Sequence, residues 1–175
     1  MKRFLRYLPY AVILVGSMIS ASCIQNEPSP LVFFPDKEEF INGGVSAMME
    51  SRCGGLDCHG QVGRPLRLYS QRGLRLATPQ DGLRDERQTT PEERVENYQS
   101  VIGLEPEGMN DTVGSGGAFV DHQLLLKPLD DEGGLGVRHK GGPVLQPTPN
   151  DPGWQCLFGW VSGQPKRQAC TDATF

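Results

Sequence analysis

Aromatic side chains make up only 7% of this 175-residue chain, against 22 glycines and 14 prolines. Such a chain has little with which to build an apolar core of its own. Basic charge is short as well. Lys2, Arg3 and Arg6 sit in a leader that reads as removable. Without them, 14 Lys and Arg face 21 Asp and Glu, a net charge of −7. That argues against a nucleic-acid partner, which needs a basic face, and favours a basic patch on any partner protein. The apolar run at residues 7–19 is too short for a good membrane-spanning helix. No serine–histidine–acid spacing, phosphate loop or paired-carboxylate motif is recognisable, so a non-enzymatic role is the better reading. Histidines number three, His59, His122 and His139, so any imidazole chemistry has few candidates.

What is present begins with the leader. Lys2, Arg3 and Arg6 precede the apolar run, and Ser20, Ala21 and Ser22 precede Cys23. A positive start, an apolar middle and small residues before a cut site form a secretory signal. With a cysteine directly after the small residues, it resembles a bacterial lipoprotein signal. That resemblance implies acylation of Cys23 and anchorage to a membrane through lipid. Ile24 and Gln25 lack the aspartate of an inner-membrane retention signal, so the outer membrane is preferred, with the domain facing the periplasm. The expected organisation is a signal at residues 1–22, a tether at 23–35 holding Pro28, Pro30 and Pro35, and one domain at 36–175.

The most informative stretch follows: Cys53, Gly54, Gly55, Leu56, Asp57, Cys58, His59, Gly60. Two cysteines, the second followed directly by histidine, is the pattern of covalent haem attachment. Two thiols add to the two porphyrin vinyl groups, and the histidine becomes the proximal iron ligand. The spacer here is four residues instead of two. Gly54 and Gly55 give it conformations closed to other residues. Two other readings compete. Cys53 and Cys58 form a small-loop disulfide in an exported protein, or they bind zinc with His59 and a distant histidine. Under the haem reading Cys156 and Cys170 are left to pair. Under the disulfide reading both pairs form, so counting cysteines does not decide.

The remaining chain reads as helices between long Gly- and Pro-rich loops. Asp36 caps a first helix running to about Arg52, with Glu38 and Glu39 facing its dipole. Gly43 and Gly44 sit in its middle, where a crossing helix would need them. Residues 60–88 read as loop with short extended pieces. Arg64, Arg67, Arg72 and Arg75 there form a weak candidate group for a haem propionate, with a solvated edge the simpler reading. Thr90, Pro91 and Glu93 make a capping box for a second helix with Val95, Tyr98 and Ile102 on one face, ended by Gly103. Met109 falls in a glycine-flanked loop. Asp121 caps a short helix stopped by Pro128. His139 lies in the loop at residues 133–149. Asp151 and Pro152 open the last helix, whose Trp154, Leu157, Phe158 and Val161 are expected to pack against Gly43 and Gly44.

These pieces together resemble the class I cytochrome c fold, and more narrowly the cytochrome c-like domains of exported bacterial proteins. The resemblance rests on Cys58-His59-Gly60, on Leu124-Leu125-Leu126-Lys127-Pro128-Leu129, on His139-Lys140-Gly141-Gly142 and on Trp160-Val161-Ser162-Gly163. It spans roughly residues 36–163. It implies a mostly α domain with its long loops wrapped around a haem c. Cys53 and Cys58 would be the thioether anchors and His59 the proximal ligand. For the distal iron ligand it ranks His139 first and Met109 second, with an open site third; His122 has no reason to reach the iron. The function implied is a lipid-anchored monohaem electron carrier of the cell envelope with redox partner proteins. The alternative is a disulfide-stapled lipoprotein acting as a binding or structural module without haem.

Overall fold

Helix starts are the most local feature of the chain, and they organise the fold. In the computed structural model the described residues are 32–76, 88–118, 120–129, 137–146 and 150–174. The expectations for the signal, for Cys23 and for most of the tether lie outside them. The described residues form a mostly helical domain. Its helices are α1 (Lys37–Asn42), α2 (Val45–Arg52), α3 (Pro91–Ile102), α4 (Pro106–Gly114), α5 (Gln123–Leu126), α6 (Pro152–Val161) and α7 (Arg167–Ala173). One isolated bridge, Tyr69 with Leu74, is the β pairing among the described residues. No described helix is long and apolar enough to cross a membrane.

Three starts form as their residues dictate. Asp36 accepts from the Glu39 amide, and Asp151 from the Trp154 amide. Thr90 and Glu93 complete the reciprocal capping box ahead of α3. Elsewhere the structure departs from the sequence reading. The first helix is two helices. Gly44 adopts φ 98°, a left-handed conformation that ends one helical run and begins another. Met109 is not in a loop but inside α4, started by Pro106 at its first turn. Asp121 does not cap α5; His122 takes that position without a side-chain cap bond. α7 was not foreseen.

The aromatic helix does not pack on Gly43 and Gly44 either. A Cβ on Gly44 would lie 2.9 Å from that of Cys170, so α7 is the element that needs this glycine. Cys170 is disulfide-bonded to Cys156 of α6, and the two helices form a stapled hairpin. Arg167 of α7 adds a forked ion pair to Glu39 of α1 at 2.8 and 2.7 Å.

The few aromatics are concentrated where they count. Phe40 sits 5.0 Å from Trp160 and 5.6 Å from Tyr98, ring centre to ring centre. Each such pair adds about 1 kcal/mol beyond its buried area. Their polar tips are satisfied by the incoming chain: Trp160 Nε1 donates to the Asp36 carbonyl and the Tyr98 hydroxyl to that of Pro35. The Phe33 amide donates to Asn110 Oδ1. The last residues assigned to the tether are thus bound to the domain. Met48, Val101, Met109, Leu125, Leu145 and Leu157 complete the centre.

Candidate functional site

The C-terminus of α2 delivers Cys53, whose amide still donates to the Met49 carbonyl. The chain then folds into a tight turn. The Cys58 and Gly60 amides both donate to the Gly55 carbonyl at 2.9 Å, and the His59 amide returns to the Cys53 carbonyl at 2.9 Å. The four-residue spacer is therefore a closed turn that brings its two ends together. A second loop is laid against it. Leu68 N donates to the His59 carbonyl, and the Ser70 hydroxyl donates to the Gly54 carbonyl at 2.5 Å.

The side chain of His59 is held by the same loop. Its Nδ1 is 2.9 Å from the Leu66 carbonyl. A carbonyl only accepts, so Nδ1 carries the proton and Nε2 keeps its lone pair. His139 repeats the arrangement: its Nδ1 is 2.8 Å from the Gly142 carbonyl. That contact needs a tight turn, in which the Gly142 amide donates back to His139 and Gly142 adopts φ 80°. The turn is tied to α5's end by Val144 N and Leu145 N, which both donate to the Pro128 carbonyl. The two imidazoles face one another across a crevice, ring centres 5.9 Å apart and planes 24° from parallel.

The crevice is apolar. Met48, Met49, Leu66, Leu124, Leu145 and Leu157 wall it, and Cys53, Cys58, His59 and His139 open onto it. Its cavity volume is about 40 Å³, so the walls must part to admit a large flat group. Arg52 stands at its rim, held by a bond from Nε to the Ala173 carbonyl. Burial lowers the affinity of His59 for a proton. The Leu66 carbonyl opposes this, while His139, Arg64 and Lys127 reinforce it. The ring is held in the neutral form that binds metals. Burial, with Cys58 beside it, pushes the Cys53 thiol up to about 12. Two other clefts, one beside Glu50 and Arg94 and one beside Glu105 and Asp111, are lined by neither histidine nor cysteine.

Four residues singled out in the sequence, Cys53, Cys58, His59 and His139, are thus brought together from two distant segments. Cys53 and Cys58 are free thiols, and the one disulfide among the described residues joins Cys156 to Cys170. Nor do three His, Cys, Asp or Glu side chains among the described residues converge as a metal-ion site, as the zinc reading requires. Met109 is fully buried in the core and does not line the crevice. His122 is fully buried away from it, 4.0 Å from a Glu105 carboxyl oxygen. Of the loop arginines, Arg75 is committed to Glu93, and Arg67 lies over the Tyr69 ring.

Sequence reasoning missed Ser70 and the Leu66 and Gly142 carbonyls. A backbone acceptor has no residue signature, and a serine in a loop carries no spacing signal. Compared with models of protein families, with curated proteins and with solved structures, the chain matches none.

Proposed function

We propose that the chain is a lipid-anchored, monohaem c-type cytochrome that carries single electrons at the cell envelope. The observation that carries this reading is the opposed pair His59 and His139. Two imidazoles that gave their nitrogens to one metal from opposite sides would have ring centres roughly 6 Å apart. The observed separation is 5.9 Å with the rings stacked, so each ring would turn its Nε2 edge inward to bind. Two ligands alone do not hold a bare ion. They suit a metal whose other four positions come from a macrocycle, and haem is such a group.

The donor set fits haem in its other parts. Cys53 and Cys58 precede His59 in the chain, as two thioether anchors and a proximal ligand would. The crevice walls are apolar, which shields a porphyrin face from water. When bound, the haem supplies one-electron chemistry; the chain's part is to fix the axial ligands and exclude water. Each imidazole is oriented through its Nδ1 proton by a backbone carbonyl, a second layer that locks the tautomer and raises ligand basicity. His139 is the distal ligand in this reading. Met109 would have to leave the core to serve. Lipid on Cys23 would hold the domain at the membrane.

Haem attached through thioethers survives denaturation. A haem-stained denaturing gel of protein made with maturation machinery is expected to show the chain, with a Soret band in solution. Absence of both sinks the reading and leaves a haem-free, disulfide-stapled lipoprotein. His139→Ala should convert a low-spin ferric spectrum to high spin. An unchanged spectrum removes His139 from the iron.

A further inference from the structure

A spacer of four residues between the two cysteines has to store its extra length without driving Cys53 away from Cys58 and His59. The stored length is the turn closed on the Gly55 carbonyl, and no amide of the turn donates to the Gly54 carbonyl. Gly54 is buried, and a buried carbonyl without a donor is costly. Ser70, itself 1% exposed, supplies the donor at 2.5 Å. The fit around that oxygen leaves no slack. A Cβ at Gly60 would lie 1.9 Å from the Gly54 oxygen, and one at Gly73 would lie 2.1 Å from it. Neither glycine can gain a side chain without breaking the contact.

Ser70 and Gly73 belong to one turn, since the Gly73 amide donates to the Ser70 carbonyl and the Ser70 amide to that of Leu74. The loop carrying this turn also receives the His59 ring at Leu66 and the His59 carbonyl at Leu68. Three hydrogen bonds tie its segment from Leu66 to Ser70 to the attachment loop. Two of them hold His59 directly. The third, Ser70, holds the spacer and through it the register between Cys53 and Cys58.

We infer that Ser70, seated by Gly73, is a positioning residue for the iron site: its hydroxyl clamps the Gly54 carbonyl and so fixes the proximal His59 against its cysteine anchors. This rests on the haem reading. The clamp compensates for the two extra spacer residues, which a two-residue spacer would not need. Without it the spacer turn loosens and His59 moves relative to a porphyrin that the thioethers hold in place.

The test uses the haem-loaded chain with Ser70→Ala and Ser70→Thr. Thioether number, read by mass, should match wild type in both. Ser70→Ala should displace the reduction potential and alter the ferric electron-resonance g-values, because both report the geometry of the axial imidazole. Ser70→Thr keeps the hydroxyl and should superimpose on wild type. A second arm needs no variant: in the haem-loaded chain the His59, Gly60 and Leu68 amides should exchange with solvent at least 100-fold more slowly than in an unstructured peptide. A Ser70→Ala protein with wild-type potential and g-values overturns the inference alone, as does unprotected exchange at those amides. A wild-type chain that takes up no haem overturns the haem reading and this inference with it.

Discussion

Asn97 holds the backbone of Tyr69 from both sides: its Oδ1 accepts from the Tyr69 amide at 2.6 Å, and its Nδ2 donates to the Tyr69 carbonyl at 2.9 Å. One side chain on α3 thus does for a loop residue what a neighbouring strand does in a sheet. It fixes the loop that carries Leu66, Leu68 and Ser70. Asn97 is 1% exposed, so Asn97→Ala strands a donor and an acceptor in the interior. The expected cost is about 2–6 kcal/mol, since each of the two stranded groups costs about 1–3. Urea unfolding checks it, and an unchanged midpoint would show that water replaces the side chain.

Glu93 anchors the far end of the same loop. Its carboxylate takes Arg75 Nε and Nη2 at 2.9 and 3.0 Å, and the Leu76 and Thr90 amides. Burial by itself would raise its pKa. The bonds from Arg75, Thr90 and Leu76 outweigh that and hold it below the ordinary value. The ionised form is therefore favoured by folding. Its contribution is present above pH 4.5, the ordinary value of a glutamate, and is lost as pH falls through the lower folded value. Glu93→Ala takes from Arg75 the carboxylate that its Nε and Nη2 share, leaving its bond to the Gln88 carbonyl, and is expected to cost about 3–5 kcal/mol. The double variant Arg75→Met with Glu93→Leu should recover much of this, because the guanidinium goes with its carboxylate. If double and single variants unfold at the same urea concentration, the guanidinium charge is not the cause.

His122 titrates in the opposite chemical sense. It is fully buried, and neither ring nitrogen has a hydrogen-bond partner among the described residues. Burial lowers its pKa from 6.5, with Glu105 opposing. Folding then favours the neutral ring. Stability is complete above pH 6.5 and falls as pH drops through the folded value, because the unfolded chain binds the proton first. His122→Leu removes both the titration and the unpaired N–H. It should unfold within about 1 kcal/mol of wild type at pH 7.5. Its stability should also fall less steeply between pH 7 and 5. His59 shifts in the same direction, so the slope shrinks without vanishing. Parallel slopes for variant and wild type would assign the pH dependence elsewhere.

The bond between Cys156 and Cys170 closes a short loop, with a sequence separation of 14. Constraining the unfolded chain over such a loop is worth about 3 kcal/mol. The double variant Cys156→Ala with Cys170→Ala should lose about that much in urea unfolding. Because Leu157 walls the crevice one residue from Cys156, the haem-loaded form should also lose its low-spin spectrum at a lower temperature. A loss well under 1 kcal/mol would place the hold on α7 in the Arg167–Glu39 pair instead.

Helix starts at Asp36, Thr90 and Asp151 were legible because a cap is a contract among four neighbouring residues. The grouping of Cys53, Cys58 and His59 was legible for the same reason, since it lies in adjacency. His139 was legible as the first choice opposite His59 only through the family resemblance, since nothing local links two residues eighty positions apart. Gly44 was seen to need a close neighbour, yet the neighbour was assigned to the wrong helix. Cys170 was legible as the disulfide partner of Cys156, but the segment around it has no apolar period to announce α7.

By itself, then, the sequence determined three helix starts, at Asp36, Thr90 and Asp151, the placing of two thiols ahead of one histidine, and how little apolar material the core has. Tertiary structure alone decided that His59 and His139 stand 5.9 Å apart, that Met109 belongs to the core, and that Ser70 closes on Gly54. The reason is physical. Caps and spacings act within one turn of chain, whereas these pairings depend on backbone carbonyls and side chains that meet only after distant loops have packed.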